Sequence, residues 1–109
     1  MPSDELVLET QGSAVHLILN RAEKANALTQ QMWDALPQVI AHAEKTPGAR
    51  VLILRSVTDK VFSAGADVAE YRENAGSTEW GLANHKRVTA ATQALADCRL
   101  ATVSRIAGP

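Results

Sequence analysis

Residues 51–67 read VLILRSVTDKVFSAGAD, and this stretch decides the fold class. Its first four residues, VLIL, form an apolar run without polar alternation, which is typical of a strand covered on both faces, as in a parallel sheet. Its last six, residues 62–67 (FSAGAD), are mostly small and end at Asp67, a suitable N-cap for a short helix over 67–73. Small residues after a buried strand let another molecule approach the backbone closely.

The segment before this stretch predicts a hairpin. Residues 5–10 and 14–19 have the apolar content of strands, and Gln11-Gly12-Ser13 between them is a turn signal. The second strand is nearly continuous in apolar residues. Residues 20–27 are polar and irregular, and we expect a loop there.

A long amphipathic helix is predicted over residues 30–45. Thr29 is a suitable N-cap, and apolar residues recur behind it at helical spacing. Pro37 removes one backbone hydrogen bond and is expected to kink this helix. The order of strand, helix and strand indicates a βαβ-like arrangement and therefore an α/β fold.

A second long helix is predicted over residues 79–97. It is marked by apolar or small residues at helical spacing, namely Trp80, Asn84, Val88, Ala91, Leu95 and Cys98. Cys98 follows this spacing and is expected to be a small buried residue. Val103 and Ile106 then indicate one more strand before Gly108-Pro109.

The composition indicates one globular domain and excludes several functions. The chain has 109 residues, of which 46% are hydrophobic, 21% charged and only 4% aromatic, so the core is aliphatic. The net charge is -1, from 11 basic and 12 acidic residues without a long block of one sign. This balance argues against nucleic-acid or anionic-membrane partners.

Targeting and metal signals are also missing from the sequence. No apolar run approaches the ~20 residues that a membrane span needs, and residues 1–5 lack the basic region of a signal peptide. The lone Cys98 can form neither an internal disulfide nor a cysteine-based zinc site. We therefore predict a cytoplasmic protein without a metal.

The FSAGAD segment leaves two interpretations open. A helix that starts at Asp67 points free N–H groups at its N-terminus, where they favour negative charge such as a developing oxyanion. The segment could equally be a tight turn that caps a helix. A nucleophile elbow is excluded because Val61 stands where that motif needs glycine, and a phosphate-binding loop needs more glycines and a Lys-Ser/Thr pair.

Three segments resemble motifs of the enoyl-CoA hydratase/isomerase (crotonase) superfamily. Residues 19–28 (LNRAEKANAL) are similar to the family's LNRPxxxNAL segment, residues 51–67 to its VVLTG…FSAGAD block, and residues 104–109 (SRIAGP) to its ARIxGP strand end. The family pattern has proline at Ala22 and often Lys-Pro at residues 100–101. The resemblance covers nearly the whole chain in the right order.

The resemblance implies a fold and a position within it. The fold is an α/β, crotonase-like spiral of ββα units, truncated after about two units. Residues 1–109 would be the N-terminal portion of a crotonase-like acyl-CoA-binding domain. Coenzyme A would enter as part of the substrate, and no cofactor would be bound permanently.

The resemblance also implies which residues form the site. The N–H of Ala66 would be one of two oxyanion donors to a thioester carbonyl, in agreement with its place just before a helix N-terminus. Backbone groups on both loops would line the path of coenzyme A. The binding residues implied are Lys24, Ala25, Ala27, Ala64, Gly65, Ala66, Asp67 and Val68.

Some side chains near the implied site carry alternatives. Lys24 could meet a phosphate as a point charge, or it could be a solvated loop lysine. Arg21 is expected to bond loop carbonyls. Glu70 and Tyr71 would lie on the short helix over the acyl pocket, while an ordinary surface role is the simpler interpretation.

The resemblance predicts that half of the chemistry is missing. In the hydratase branch, two glutamates and the second oxyanion donor follow the glycine-rich loop, which would begin after Gly108-Pro109. The isolated chain is therefore expected to be inactive, and its uncovered sheet edge to drive homo-oligomers. The alternative is a non-catalytic acyl-CoA-binding or self-associating module on the same scaffold.

Overall fold

The computed structural model describes residues 4–109, so the first three residues of the N-terminus, where no signal peptide is predicted, lie outside the described residues. The elements are β1 (Leu6–Gln11), β2 (Ala14–Leu19), α1 (Gln30–Glu44), β3 (Val51–Ser56), α2 (Val68–Glu73), α3 (Thr78–Ala96) and β4 (Ala101–Arg105). The strands form one sheet in the order β1-β2-β3-β4, antiparallel between β1 and β2 and parallel elsewhere. The predicted α/β class and element order are confirmed.

The predicted hairpin forms with a two-residue turn. Leu6 pairs with Leu19 at one end of the hairpin and Gln11 with Ala14 at the other. Gly12 takes a φ of 61°, which suits glycine at the first position of such a turn. The turn therefore fixes which β2 side chains face the core.

The core lies on one face of the sheet, against α1 and α3. Because side chains alternate along a strand and β2 pairs with β3 in register, one face carries Val15, Leu17 and Leu19 beside Leu52 and Leu54. The buried core residues are Leu6, Val15, Leu17, Leu19, Met32, Val39, Ile40, Ala43, Ala49, Leu52 and Leu100. This burial is the main stabilising contribution of the hairpin and α1.

The expectation that β3 is covered on both faces is met in part, since Leu54 on the core face is also only half-buried. Leu52, on the core face, is 1% exposed, but Val51 and Ile53, on the other face, are only half-buried. That second face also carries a hydrogen bond from Arg55 Nε to His16 Nδ1 at 3.0 Å. An apolar run alone does not distinguish one covered face from two.

Helix α1 begins where the sequence predicts. The hydroxyl of Thr29 accepts a hydrogen bond from the N–H of Met32 at 3.2 Å, and the helix runs without interruption through Pro37 to Glu44. Pro37 costs the helix one backbone hydrogen bond. Buried residues of α1 pack in the core both before and after Pro37, and this packing outweighs the loss of that bond.

The C-terminal elements differ slightly from the prediction. Helix α3 is capped by Ser77, whose hydroxyl accepts from the N–H of Trp80 at 3.0 Å, and it ends at Ala96. Cys98 lies beyond the helix and is only half-buried, so its predicted burial is wrong. Ile106 lies beyond β4 and is 65% exposed. No helix within residues 4–109 is long and apolar enough to cross a membrane.

Candidate functional site

The backbone of Ala66 is held in a short parallel bridge with Leu28. The N–H of Leu28 donates to the carbonyl of Gly65 at 2.7 Å, and the N–H of Asp67 donates to the carbonyl of Leu28 at 3.1 Å. In a parallel bridge the neighbours of a residue make these bonds, so the N–H of Ala66 itself points to the other side. No hydrogen bond among the described residues uses that N–H.

Asp67 caps α2 directly after this N–H. One carboxylate oxygen accepts from the N–H of Glu70 at 3.0 Å, which confirms the predicted N-cap. The other accepts from Nη1 of Arg21 at 2.8 Å. The Arg21 hydrogen bond, followed by the Glu70 N–H, lowers the pKa of the Asp67 carboxyl below its ordinary value of 3.8.

Arg21 ties the two loops of the site together. Its Nη1 also donates to the carbonyl of Ala27 at 2.8 Å, which confirms the predicted bond to a loop carbonyl. Its Nε lies 3.2 Å from a carboxylate oxygen of Glu5. Sequence reasoning missed both acidic partners, because no local pattern joins Arg21 to Asp67 across 46 residues.

A cleft of about 300 Å³ opens in front of these loops. Six of the eight predicted binding residues line it, namely Lys24, Ala27, Ala64, Ala66, Asp67 and Val68, together with Arg21 and Ala69. Ala25 and Gly65 do not line it. They hold the loop from behind, where the carbonyl of Ala25 accepts from the N–H of Ala64 at 2.9 Å.

The charged side chains at the cleft differ in burial and in whether they are paired. The Arg21 guanidinium and the Asp67 carboxylate neutralise each other, with side chains only 13% and 12% exposed. Lys24 is exposed at the rim, and no carboxylate in residues 4–109 lies within ion-pair distance of its ammonium. Arg21 is also paired with Glu5, so Lys24 is the cation at the rim that is available to a ligand.

Asn26 is a buried polar residue behind the cleft that sequence reasoning did not single out. It is 0% exposed and adopts a φ of 53°. Its Nδ2 donates to Oγ of Ser56 at 2.8 Å and to the carbonyl of Phe62 at 2.9 Å, and its Oδ1 accepts from the N–H of Arg21 at 2.8 Å. Its place in the LNRAEKANAL motif is the available signal.

Glu70 and Tyr71 make structural contacts on α2. The carboxylate of Glu70 accepts from the N–H of Gln30, the first residue of α1, at 2.6 Å. The hydroxyl of Tyr71 lies 2.6 Å from Nδ2 of Asn84, and its ring meets Trp80 edge to face at 5.1 Å. Neither residue lines the cleft. These contacts join α2 to the two long helices.

A second cavity, of about 210 Å³, lies inside the aliphatic core between the sheet, α1 and α3. Leu17, Leu54, Leu36 and Leu95 are among the residues that line it. Within the described residues, no three His, Cys, Asp or Glu side chains are grouped so that they could hold a metal ion.

Known proteins are similar to this chain in both sequence and fold. The short-chain-enoyl-CoA hydratase of Clostridium acetobutylicum is 30% identical over 73 residues, or 67% of this chain and 28% of its own. The enoyl-CoA hydratase domain-containing protein 3 of Danio rerio is 38% identical over 69 residues, or 63% of this chain and 24% of its own. This chain thus spans about a quarter of these curated relatives.

A solved structure of an enoyl-CoA hydratase/carnithine racemase from Magnetospirillum magneticum superimposes with a TM-score of 0.90 at 27% identity. The superposition covers 98% of this chain and 40% of that protein, and it confirms the predicted crotonase-like fold. The sequence pattern of the enoyl-CoA hydratase/isomerase family matches residues 9–109. The chain therefore belongs to the enoyl-CoA hydratase/isomerase family.

Proposed function

We propose that this chain binds acyl-coenzyme A thioesters in the cleft, with the N–H of Ala66 donating to the thioester carbonyl. The observation that carries the proposal is the free N–H of Ala66. Ala66 lines the cleft, and its N–H is turned away from the bridge with Leu28. A donor fixed by its neighbours needs no reorganisation when charge develops on the oxygen.

The electrostatics around Ala66 support an oxyanion. The nearest carboxylate, that of Asp67, is already bonded to Arg21 and to the N-terminus of α2, so its charge is compensated. One oxyanion donor contributes roughly 10²–10³-fold to the rate of acyl chemistry in known enzymes. A complete oxyanion hole needs a second donor, which the family resemblance assigns to sequence after residue 109.

The rest of the cleft suits the coenzyme A part of the ligand. The lining residues Ala27, Ala64 and Ala66 are small, so an extended pantetheine chain can approach the backbone. The ammonium of Lys24 at the rim can meet a phosphate as a point charge. Coenzyme A is then substrate, and no permanently bound cofactor is required.

The reaction of the whole protein is part of the same proposal. Hydration or isomerisation of an enoyl thioester needs acid and base groups besides the oxyanion donor. The family resemblance assigns the catalytic glutamates to positions outside these 109 residues, so we expect the isolated chain to bind acyl-CoA and not to hydrate it. Fatty-acid or related acyl-CoA metabolism and a cytoplasmic location remain predictions.

The test measures binding of crotonyl-CoA and of free coenzyme A by calorimetry. Ala66→Pro deletes the proposed donor and is expected to weaken crotonyl-CoA binding about tenfold, the equivalent of one hydrogen bond. Ala22→Pro is the matched control, because this exposed residue begins a 3₁₀ turn and the family pattern carries proline there. Absence of crotonyl-CoA binding by the unmodified chain would refute the proposed function.

Self-association is a second candidate function, favoured by β4. All five residues of β4 are exposed. Within the described sheet, one edge of β4 pairs with β3 and the other edge has no neighbouring strand. Such an edge is a template for pairing with another chain. Sedimentation should show dimers or larger species, and Val103→Lys should reduce them. A clean monomer for the unmodified chain would contradict this candidate.

A further inference from the structure

The loop that carries Ala66 is attached to residue 26 by a short series of hydrogen bonds. The main-chain carbonyl of Asn26 accepts from the hydroxyl of Ser63 at 2.9 Å. The same hydroxyl oxygen accepts from the N–H of Gly65 at 3.0 Å. The N–H of Gly65 lies in the peptide unit before the one that contains the Ala66 N–H, and the carbonyl of Gly65, which shares the Ala66 unit, accepts from the N–H of Leu28, two residues after Asn26. Asn26 therefore holds the loop on both sides of the Ala66 peptide unit.

The side chain of Asn26 holds this series in place. Its amide bonds reach β3 through Ser56, the start of the loop through Phe62, and the opposite loop through the N–H of Arg21. The residue is 0% exposed, so water does not compete for these bonds. Loss of the amide would leave the N–H of Arg21 and the carbonyl of Phe62, both part-buried, without this partner, and each such group carries a desolvation cost.

We propose that Asn26 is a positioning residue that fixes the direction of the Ala66 N–H toward the thioester carbonyl. This inference rests on the proposed function, and it adds a residue that touches neither the substrate nor the reacting atoms. Oxyanion donors work because they are held in place before charge develops, and a misplacement of about 1 Å is costly. The Asn26 amide adds to the rigidity that the Leu28 bridge gives this N–H, and it does so from behind the cleft.

The backbone of Asn26 determines which substitutions are informative. Its φ of 53° lies in the left-handed region, which glycine and asparagine adopt more easily than other residues. Asn26→Gly therefore removes the amide and keeps the backbone conformation accessible. Ser63→Ala is a milder variant, because it removes only the hydroxyl that joins Asn26 to Gly65. Val39→Ala, in the core of α1 at 0% exposure, is the control for general loss of stability.

The first readout needs no ligand. We expect the ¹⁵N order parameter of the Ala66 N–H to be about 0.85 in the unmodified chain and below about 0.6 in Asn26→Gly. Ser63→Ala should lower it less, and Val39→Ala should leave it unchanged. Should Asn26→Gly fail to fold, Ser63→Ala decides the question. An Ala66 order parameter unchanged in the folded variants would overturn the inference.

The second readout separates positioning from structure. Free coenzyme A lacks the thioester carbonyl, so a residue that only positions the Ala66 N–H affects crotonyl-CoA binding and not coenzyme A binding. Asn26→Gly should raise the Kd of crotonyl-CoA about tenfold and leave that of coenzyme A unchanged. An equal rise in both constants would show a merely structural role. Failure of the unmodified chain to bind either ligand refutes the proposed function, while the order parameter still tests Asn26.

Discussion

Strands β2 and β4 flank β3 and pair with it in the same parallel way, yet their burial is opposite. Val15, Leu17 and Leu19 of β2 are at most 3% exposed, whereas every residue of β4 is exposed. Thr102 pairs with the buried Leu52 and is itself exposed, so the cover provided by the helices ends between β3 and β4. Backbone pairing therefore places a strand in the sheet, and helix packing decides how much it stabilises the fold.

Valine-to-alanine substitutions on β2 and β4 should differ most in their effect on the free energy of unfolding, and the β2 variant should show the largest effect. Val15, in β2, is 1% exposed, and Val15→Ala should lower the free energy of unfolding by about 2–3 kcal/mol through lost transfer energy and a residual cavity. Urea denaturation measures this loss. A change close to zero would mean that the core beneath α1 collapses around the smaller side chain.

Gly65→Ala tests the loop that follows β3 and should have the next largest effect. Gly65 has a φ of 88°, and a Cβ added there would meet open space, so the cost is purely one of backbone conformation, about 1–2 kcal/mol. Gly76→Ala, which also meets open space but has no positive φ, should be neutral or slightly stabilising. Equal effects of the two variants would exclude backbone strain as the cause.

Asp67→Asn tests the ion pair that joins the loop after β2 to the loop after β3. Because the folded pKa of Asp67 lies below 3.8, its charge stabilises the fold above that pH. The stabilisation is lost as the pH falls through the folded pKa. The difference in unfolding free energy between the unmodified chain and Asp67→Asn should therefore shrink in acid.

Asp34→Asn is the control for this pH dependence. Its carboxylate pairs with Arg87 at 3.3 Å, but its side chain is 69% exposed, so the pair is screened by solvent and contributes little. Denaturation curves of both variants at a series of pH values make the comparison. A gap for Asp67→Asn that widens in acid would contradict the assigned direction of its pKa.

Val103→Ala should have the smallest effect. Val103 is 51% exposed in β4, and surface substitutions of this kind usually change the free energy of unfolding by less than about 0.5 kcal/mol. It is measured in urea beside Val15→Ala, at a protein concentration low enough to disfavour association. A loss as large as that of Val15→Ala would show that β4 is buried in solution by another chain.

Local signals make much of the fold predictable from the sequence. The hairpin follows from two apolar strands around Gly12, and both Thr29 and Asp67 cap helices as their residue types suggest. The predicted ends of α1 and α3 differ from the observed ones by a single residue. The FSAGAD pattern likewise predicts a main-chain site before α2, where the cleft lies.

Features that depend on distant contacts could not be predicted. The bond between Arg21 and Asp67 spans 46 residues, and nothing in either segment indicates the partner. The exposure of β4 and the half-burial of β3 depend on where the helices lie, which apolar runs alone do not encode. The local cost of Pro37 can be read from its residue type, while the packing of α1 determines the outcome.

The bridge between Leu28 and Ala66 has a consequence for how this site can vary. The N–H of Ala66 belongs to the main chain, so every amino acid at position 66 except proline retains it. The side chain at 66 is exposed at the cleft, and so is that of Val68. Under the proposed function, substitution there would reshape the acyl-CoA cleft without deleting the donor, which makes the loop a suitable target for redesign of selectivity.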